Sequence, residues 1–171
     1  MQAEELRALQ APLKQRYREQ PQAAMITLSA RGNLDEGITC SVETGQALVQ
    51  AGLHPATGGD GLAACSGDML LQALIACAGV TLRAVATALG VSVHGGTVTA
   101  EGDLDFRGTL GVSREAPVGF AEIRVRFDLE TDASPAQLEQ VLQLTERYCV
   151  VYQTLRSAPP VSITVRKTAE Q

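Results

Sequence analysis

Hydrophobic and polar residues follow two different patterns along the chain, and each pattern predicts its own kind of element. The stretch from Met69 to Leu89 is apolar on nearly all sides of a helix. A helix of that kind is buried on most faces, so it is predicted to be the core helix, capped by Ser66 and ended by Gly90. Residues 119–132 instead alternate with a period of two, which predicts an amphipathic strand with one irregularity near Ala121.

Weaker patterns predict the elements that precede the apolar helix. Apolar residues at near-helical spacing indicate an amphipathic helix in the first 21 residues, with a kink or an interruption expected at Pro12. Residues 24–30 and 37–45 alternate as strands, and the sequence RGNLDEG between them is typical of a hairpin connection. The following segment, rich in proline and glycine, predicts a loop with His54 on its surface.

The second half of the chain completes an α+β pattern with mostly antiparallel strands. Residues 93–106 predict a short strand, a Gly-Gly turn and a longer strand. The sequence SPAQ at residues 134–137 predicts a capped helix, and residues 161–165 predict a last strand. We expect a single domain over residues 1–171, with an N-terminal helical extension (1–21) and a core (24–166). A small sheet cannot cover so apolar a helix, which favours an intertwined homodimer.

Charge and composition exclude several partners. The net charge is −5 and the 14 Lys and Arg residues are scattered, which argues against nucleic-acid binding. Residues 69–91 are long enough to span a membrane, but Arg83 near the centre costs at least ~2.5 kcal/mol in a bilayer, so a soluble helix is favoured. The charged N-terminus has no apolar signal region, which predicts a cytoplasmic protein whose thiols stay free.

The four cysteines, Cys40, Cys65, Cys77 and Cys149, form no CxxC pair, and with only two histidines a zinc site is not supported. Cys40 falls on the inward face of a predicted strand, as a small apolar filler does. Cys77 lies in apolar surroundings and Cys149 at the end of a helix, and both settings raise a thiol pKa. The residues alone therefore leave open whether Cys77 packs or reacts.

Two segments, SGDMLLQALIACAGVTLRAVATALGV and ERYCVVYQTL, resemble the OsmC/Ohr family of thiol-dependent hydroperoxide reductases. With the order of elements, the resemblance covers most of the chain from Met25 to Val165. It implies the OsmC-like fold, an antiparallel sheet with two core helices in an intertwined homodimer, with the cysteine helices at its centre. It also implies that substrate enters at the subunit interface.

The same resemblance implies a two-cysteine peroxidase that reduces organic hydroperoxides, of the alkyl or lipid type, in oxidative-stress defence. Cys77 matches the peroxidatic cysteine and Cys149 the resolving cysteine, and no cofactor is implied beyond an external dithiol or low-molecular thiol as reductant. Arg31 matches the arginine that activates the thiol, without its glycine pair. Asp68 lies near the position of the carboxylate that orients this arginine.

The departures from the family pattern keep two other functions open. The family often has proline after the resolving cysteine, where this chain has Val150. A non-catalytic OsmC-like dimer that binds a small apolar ligand at the subunit interface is the main alternative. A thiol sensor that uses Cys65, just before a helix N-terminus where thiol pKa values are lowered, is the third.

Overall fold

The computed structural model describes residues 2–20, 31–34, 39–43, 48–111 and 113–167. The described helices are α1 (Ala3–Glu19), α2 (Ser66–Leu89), α3 (Phe106–Thr109), α4 (Pro135–Tyr148) and α5 (Val150–Arg156). The described strands are β1 (Arg31–Leu34), β2 (Thr39–Glu43), β3 (Leu48–Gly52), β4 (Ala64–Cys65), β5 (Gly95–Leu104) and β6 (Phe120–Glu130). The predicted α+β class is confirmed.

The first sheet has the strand order β1-β2-β3-β4, antiparallel except for the parallel pair β3 and β4. Residues 31–34, predicted as part of a turn, form β1 instead, and the predicted strand at 24–30 lies outside the described residues. Strand β2 falls within the predicted 37–45. No alternating pattern predicts β3, whose five residues are LVQAG.

The second sheet is the antiparallel pair β5 and β6. The predicted Gly-Gly turn is wrong, because Gly95 and Gly96 both lie inside β5. At Gly96 the backbone φ is +140°, and a Cβ there would lie 2.3 Å from the carbonyl oxygen of Asp128. Glycine serves here to bring the two strands close together. The irregularity predicted near Ala121 is confirmed as a register shift between Asp103 and Leu104, which leaves Ala121 without a cross-strand partner.

The apolar helix α2 ends as predicted at Gly90, which takes a left-handed φ of 69°. Its start differs, because Cys65 rather than Ser66 occupies the N-cap position. The prediction of burial on most faces is wrong for the single chain. One face is buried, whereas Val80 on another is 72% exposed. Among the described helices, α2 is the one that is long and apolar enough to cross a membrane, by length and composition only.

The main core lies where α2 and α4 meet the second sheet. Its buried residues are Leu82, Val85, Ala86, Val91 and Val141, with Phe127 and Leu129 of β6 packed against them. Helix α4 starts as predicted, since the Ser134 side chain accepts from the backbone N–H of Gln137 in a capping box. This cap fixes the start of α4 and thereby the position of its other end at Cys149.

The two terminal segments both differ from the sequence prediction. Helix α1 runs from Ala3 to Glu19 without a break at Pro12, and it contacts α2. The predicted last strand at 161–165 is wrong for the single chain, since these described residues pair with no described strand. Val161, Ile163 and Val165 are each more than 80% exposed. The alternating apolar residues are present, but no described strand of the same chain pairs with them.

Candidate functional site

The structure brings Cys77 and Cys149 together, although 72 residues separate them in the sequence. Cys77 is half-buried in the middle of α2, and Cys149 is 1% exposed at the junction of α4 and α5. Both α4 and α5 contact α2. The two thiols lie close enough together that each shifts the pKa of the other.

The junction that carries Cys149 is held by its backbone. The Cys149 N–H donates to the carbonyl oxygen of Thr145 at 2.9 Å, and the Cys149 carbonyl accepts from Gln153 N–H at 2.9 Å. The Gln153 side-chain amide also donates to the carbonyl of Glu146 at 2.7 Å. Cys149 therefore ends α4 and begins α5, and the free backbone N–H groups of the first turn of α5 face the thiol pair.

Burial raises the pKa of the Cys77 thiol, but hydrogen bonds to its sulfur outweigh burial, and the pKa is lowered overall. The donors are the backbone N–H of Val151, the Cys149 thiol and the backbone N–H of Val150, in that order. The Thr81 hydroxyl contributes less, and it donates its single proton to the Cys77 carbonyl oxygen at 2.8 Å. The raised pKa predicted for Cys77 is therefore wrong, because the main contributions that lower it come from Cys149 and the first turn of α5 rather than from its own helix.

The neighbouring thiol shifts in the opposite direction. Burial raises the pKa of Cys149, and the hydrogen bond with Cys77 and the Cys77 charge raise it further, against the N–H groups of Tyr152 and Val151. The raised pKa predicted for Cys149 is confirmed, but burial and Cys77 cause it rather than the C-terminus of a helix. Cys77 is therefore the thiol of the pair that ionises more readily, and Cys149 is the thiol that stays protonated to higher pH, which is the order that a nucleophile and a second, resolving thiol require.

The cation and the carboxylate expected beside Cys77 are not placed there by the described residues. Arg31 begins β1 with its backbone paired to Glu43, and its side chain lies outside the described residues. Asp68 is exposed in the first turn of α2, about 13 Å before Cys77 along the helix axis. Arg83 donates to the carbonyl of Val93 at 2.6 Å. The activating roles of Arg31 and Asp68 stay predictions.

A cleft of about 770 Å³ opens beside the thiol pair, between β6 and the helices α2, α4 and α5. Its apolar lining includes Leu74, Ala78, Val125, Phe127, Leu142 and Leu155. Cys149 lies in the wall of this cleft, and Cys77 is not among the described residues that line it. Arg126 and Arg156 bring positive charge to its lining, and Glu122 and Glu146 bring negative charge.

A separate cavity of about 340 Å³ contains Cys65, Asp68 and His54. His54 is half-buried rather than on the surface, because its ring stacks on Phe106 at 4.9 Å and its Nδ1 accepts from Ala56 N–H. Among the residues that the structure describes, no group of His, Cys, Asp and Glu could hold a metal ion. The Cys40 side chain lies outside the described residues, and the reactivity of Cys65 stays a prediction.

Two thiols in contact, carried by helices that pack on an antiparallel strand pair, define an α+β protein with a paired-cysteine site. A family model described as OsmC-like protein matches residues 58–164, more than half of the chain. The chain belongs to the OsmC family, and the resemblance seen in the sequence is confirmed. No curated protein matches the sequence significantly.

Several solved structures share the fold. An OsmC-like protein from Mycoplasma pneumoniae is 15% identical, with a TM-score of 0.65 over 78% of this chain and 89% of that one. An organic hydroperoxide resistance protein from Elizabethkingia anophelis is 13% identical, with a TM-score of 0.62 over 79% and 91%. A putative organic hydroperoxide resistance protein from Vibrio cholerae, with captopril bound in one of its active sites, is 18% identical, with a TM-score of 0.58 over 79% and 89%. These similarities establish the OsmC-like fold.

Proposed function

We propose that this protein is a thiol-dependent peroxidase that reduces organic hydroperoxides through a cycle of Cys77 and Cys149. The observation that carries the proposal is the contact between these two thiols, with the pKa of Cys77 lowered and that of Cys149 raised. A thiolate is the form of cysteine that attacks a peroxide, and a second thiol within contact is what converts the product into a disulfide.

The cycle starts at Cys77. Its thiolate attacks the terminal oxygen of the hydroperoxide, the O–O bond breaks, and the alkoxide leaves as the alcohol after it takes a proton. Cys77 then carries a sulfenic acid and no negative charge. Because that charge had helped to raise the pKa of Cys149, its loss favours ionisation of the second thiol. Cys149 attacks the sulfenic sulfur, water leaves, and the disulfide forms; an external dithiol or low-molecular thiol restores both thiols.

The proposal includes a homodimer in the cytoplasm. Val80 on the open face of α2 and the alternating apolar residues at 161–165 are exposed in the single chain, and a second copy of the chain would cover them. Arg31 and Asp68 complete the proposed site as thiolate activator and orienting carboxylate. Sedimentation velocity tests the dimer directly, and a monomer at micromolar protein would contradict it.

A second candidate is a non-catalytic dimer that binds a small apolar ligand. The cleft of about 770 Å³ beside Cys149 favours it, because its volume and apolar lining are typical of small-molecule sites. The two candidates differ in what peroxide does to the thiols. A peroxidase forms a Cys77–Cys149 bond under mild peroxide, whereas a binding protein keeps both thiols reduced.

The deciding experiment measures consumption of cumene hydroperoxide by purified protein with dithiothreitol. We expect consumption by the wild type and by the matched control Cys65→Ser, and background consumption only by Cys77→Ser. Peptide mass spectrometry after one equivalent of hydroperoxide should show the Cys77–Cys149 disulfide. Equal consumption by the wild type and Cys77→Ser, with all thiols reduced, would rule out the peroxidase and leave the binding protein.

A further inference from the structure

Two cavities follow each other along one groove between α2 and the strand pair β5 and β6. The cleft of about 770 Å³ reaches the thiol pair at Cys149, and the cavity of about 340 Å³ contains Cys65. On α2 the cleft is lined by Leu74 and the second cavity by Leu71, which lies one turn earlier on the same side of the helix. The two cavities are therefore two parts of one groove.

One side chain separates the two parts. Phe120, the first residue of β6, lines both cavities, and no other described residue does so. Its ring occupies the space that a side chain would take at Gly102 of β5, where a Cβ would lie 2.5 Å from a ring carbon. A Cβ at Gly67 of α2 would lie 3.4 Å from the same ring. The ring therefore reaches across the groove from the sheet to the helix.

The register shift between β5 and β6 turns this ring inward. Ala121 has no partner on β5. Without this extra residue, the alternation that points Ile123 and Val125 inward would point position 121 at the groove and position 120 at solvent. The shift reverses the two, since Ala121 is exposed and Phe120 is half-buried.

From this geometry we propose that Phe120 is a specificity-determining residue, which closes the groove and confines the alkyl group of the hydroperoxide to the cleft beside Cys149. This inference rests on the proposed function, because it concerns the substrate of that reaction. The favoured substrates are hydroperoxides whose alkyl group is compact, or short enough to end at the ring. The outer methylene groups of a longer chain stay in water, so they add nothing to binding.

The test removes the ring and thereby joins the two cavities. Leu71, Leu104 and Phe106 give the second cavity apolar surface, so in Phe120→Ala a longer chain should continue into it. The measurement is kcat/KM for straight-chain alkyl hydroperoxides of increasing length, with dithiothreitol as reductant. In the wild type kcat/KM should stop rising once the chain reaches the ring. In Phe120→Ala it should rise further, by up to about fourfold for each additional methylene group that is buried.

Two further variants control for size and for folding. Leu104→Ala enlarges the second cavity and keeps the ring, so it should retain the chain-length profile of the wild type. Phe120→Leu keeps an apolar side chain between helix and sheet, which protects the fold if the alanine variant is unstable. It should shift the profile toward longer chains by less than Phe120→Ala does.

Cys65 gives a readout that needs no peroxidase activity, because it lies in the second cavity. Straight-chain alcohols have the carbon chain of the substrates and do not oxidise thiols. Long alcohols should slow alkylation of Cys65 by iodoacetamide in Phe120→Ala and leave its rate unchanged in the wild type. Short alcohols should protect Cys65 in neither protein. Peptide mass spectrometry distinguishes this alkylation from that of the other cysteines.

The outcomes separate the inference from the proposed function. Parallel chain-length profiles for the wild type and Phe120→Ala, with no protection of Cys65, would overturn the role of Phe120 and leave the peroxidase intact. Protection of Cys65 by long alcohols in the wild type would do the same, because the groove would then be open past the ring. Failure of the wild type to consume any of the hydroperoxides would overturn the proposed function and the inference together.

Discussion

The hydrogen bond from the Cys149 thiol to the Cys77 sulfur can be removed without altering the backbone. Cys149→Ala deletes the donor, and Cys149→Ser keeps a donor of similar size in the same place. Both variants lose the second sulfur, so they differ from each other only in the hydrogen bond. We expect Cys77 to be most nucleophilic at neutral pH when residue 149 donates, so the serine variant should match or exceed the wild type and the alanine variant should fall below both.

The size of the effect follows from the charge on the acceptor. A hydrogen bond to a charged group contributes about 1.5–3 kcal/mol, and a thiol is a weak donor, so the lower figure applies. Since about 1.4 kcal/mol is a factor of ten, the acid dissociation constant of Cys77 should fall roughly tenfold in Cys149→Ala, and so should its thiolate fraction at pH values below its pKa. A more basic thiolate is a better nucleophile, with a Brønsted slope of about 0.4–0.5, which recovers roughly threefold. The net loss in rate at pH values below the Cys77 pKa is therefore about threefold.

The assay is the rate of iodoacetamide alkylation at Cys77 as a function of pH, followed through its peptide by mass spectrometry. The lowered pKa means that Cys77 in the wild type reacts at a pH below that of an ordinary thiol. Loss of the donor moves the midpoint of the alanine variant to higher pH, while the serine variant stays in place. Superimposable profiles for Cys149→Ala and Cys149→Ser would refute the reasoning, because the hydrogen bond would then have no influence on the thiolate.

Three further substitutions test other parts of the structure. Val150→Pro removes a backbone donor to Cys77 and sets a ring beside the sulfur, so Cys77 alkylation at pH 7 should slow, whereas Val150→Ala should react like the wild type. The Leu82 side chain is 2% exposed in the core, so Leu82→Ala should lower the free energy of unfolding in urea by about 2–5 kcal/mol. A decrease below about 1 kcal/mol would mean that neighbouring side chains fill the cavity. Gly96→Ala places its Cβ against Asp128 and should lower the melting temperature more than Gly111→Ala, where no atom lies within 4 Å of the new Cβ.

The predictions from sequence succeeded for elements whose pattern depends on their own residues alone. Strong alternation predicted β6 and even its irregularity at Ala121, and SPAQ predicted the start of α4. These signals are local, since side-chain periodicity and capping need no information from the rest of the fold. The β1 and β3 strands lacked such a signal, because RGNL and LVQAG do not alternate and are fixed by pairing with β2.

The local sequence could not predict the pKa of Cys77, for a physical reason. A thiol in the middle of an apolar helix should have a raised pKa, and α2 alone would give Cys77 one. The donors that reverse the sign belong to the first turn of α5, 73 residues and more away along the chain. Only the pairing of two motifs within one family indicated that Cys77 and Cys149 act together.

Dilution favours dissociation of the proposed dimer, which exposes apolar surface of the single chain to water. Val80 on α2 and the apolar side chains at 161–165 are exposed in the described single chain, and a second chain would remove them from solvent in the proposed dimer. Mass action then links the folding equilibrium to the amount of protein present, and a hundredfold dilution weakens the dimer by about 2.7 kcal/mol. Abundant chains would therefore protect one another against unfolding, and a cell that makes more of this protein would also make each copy of it longer-lived.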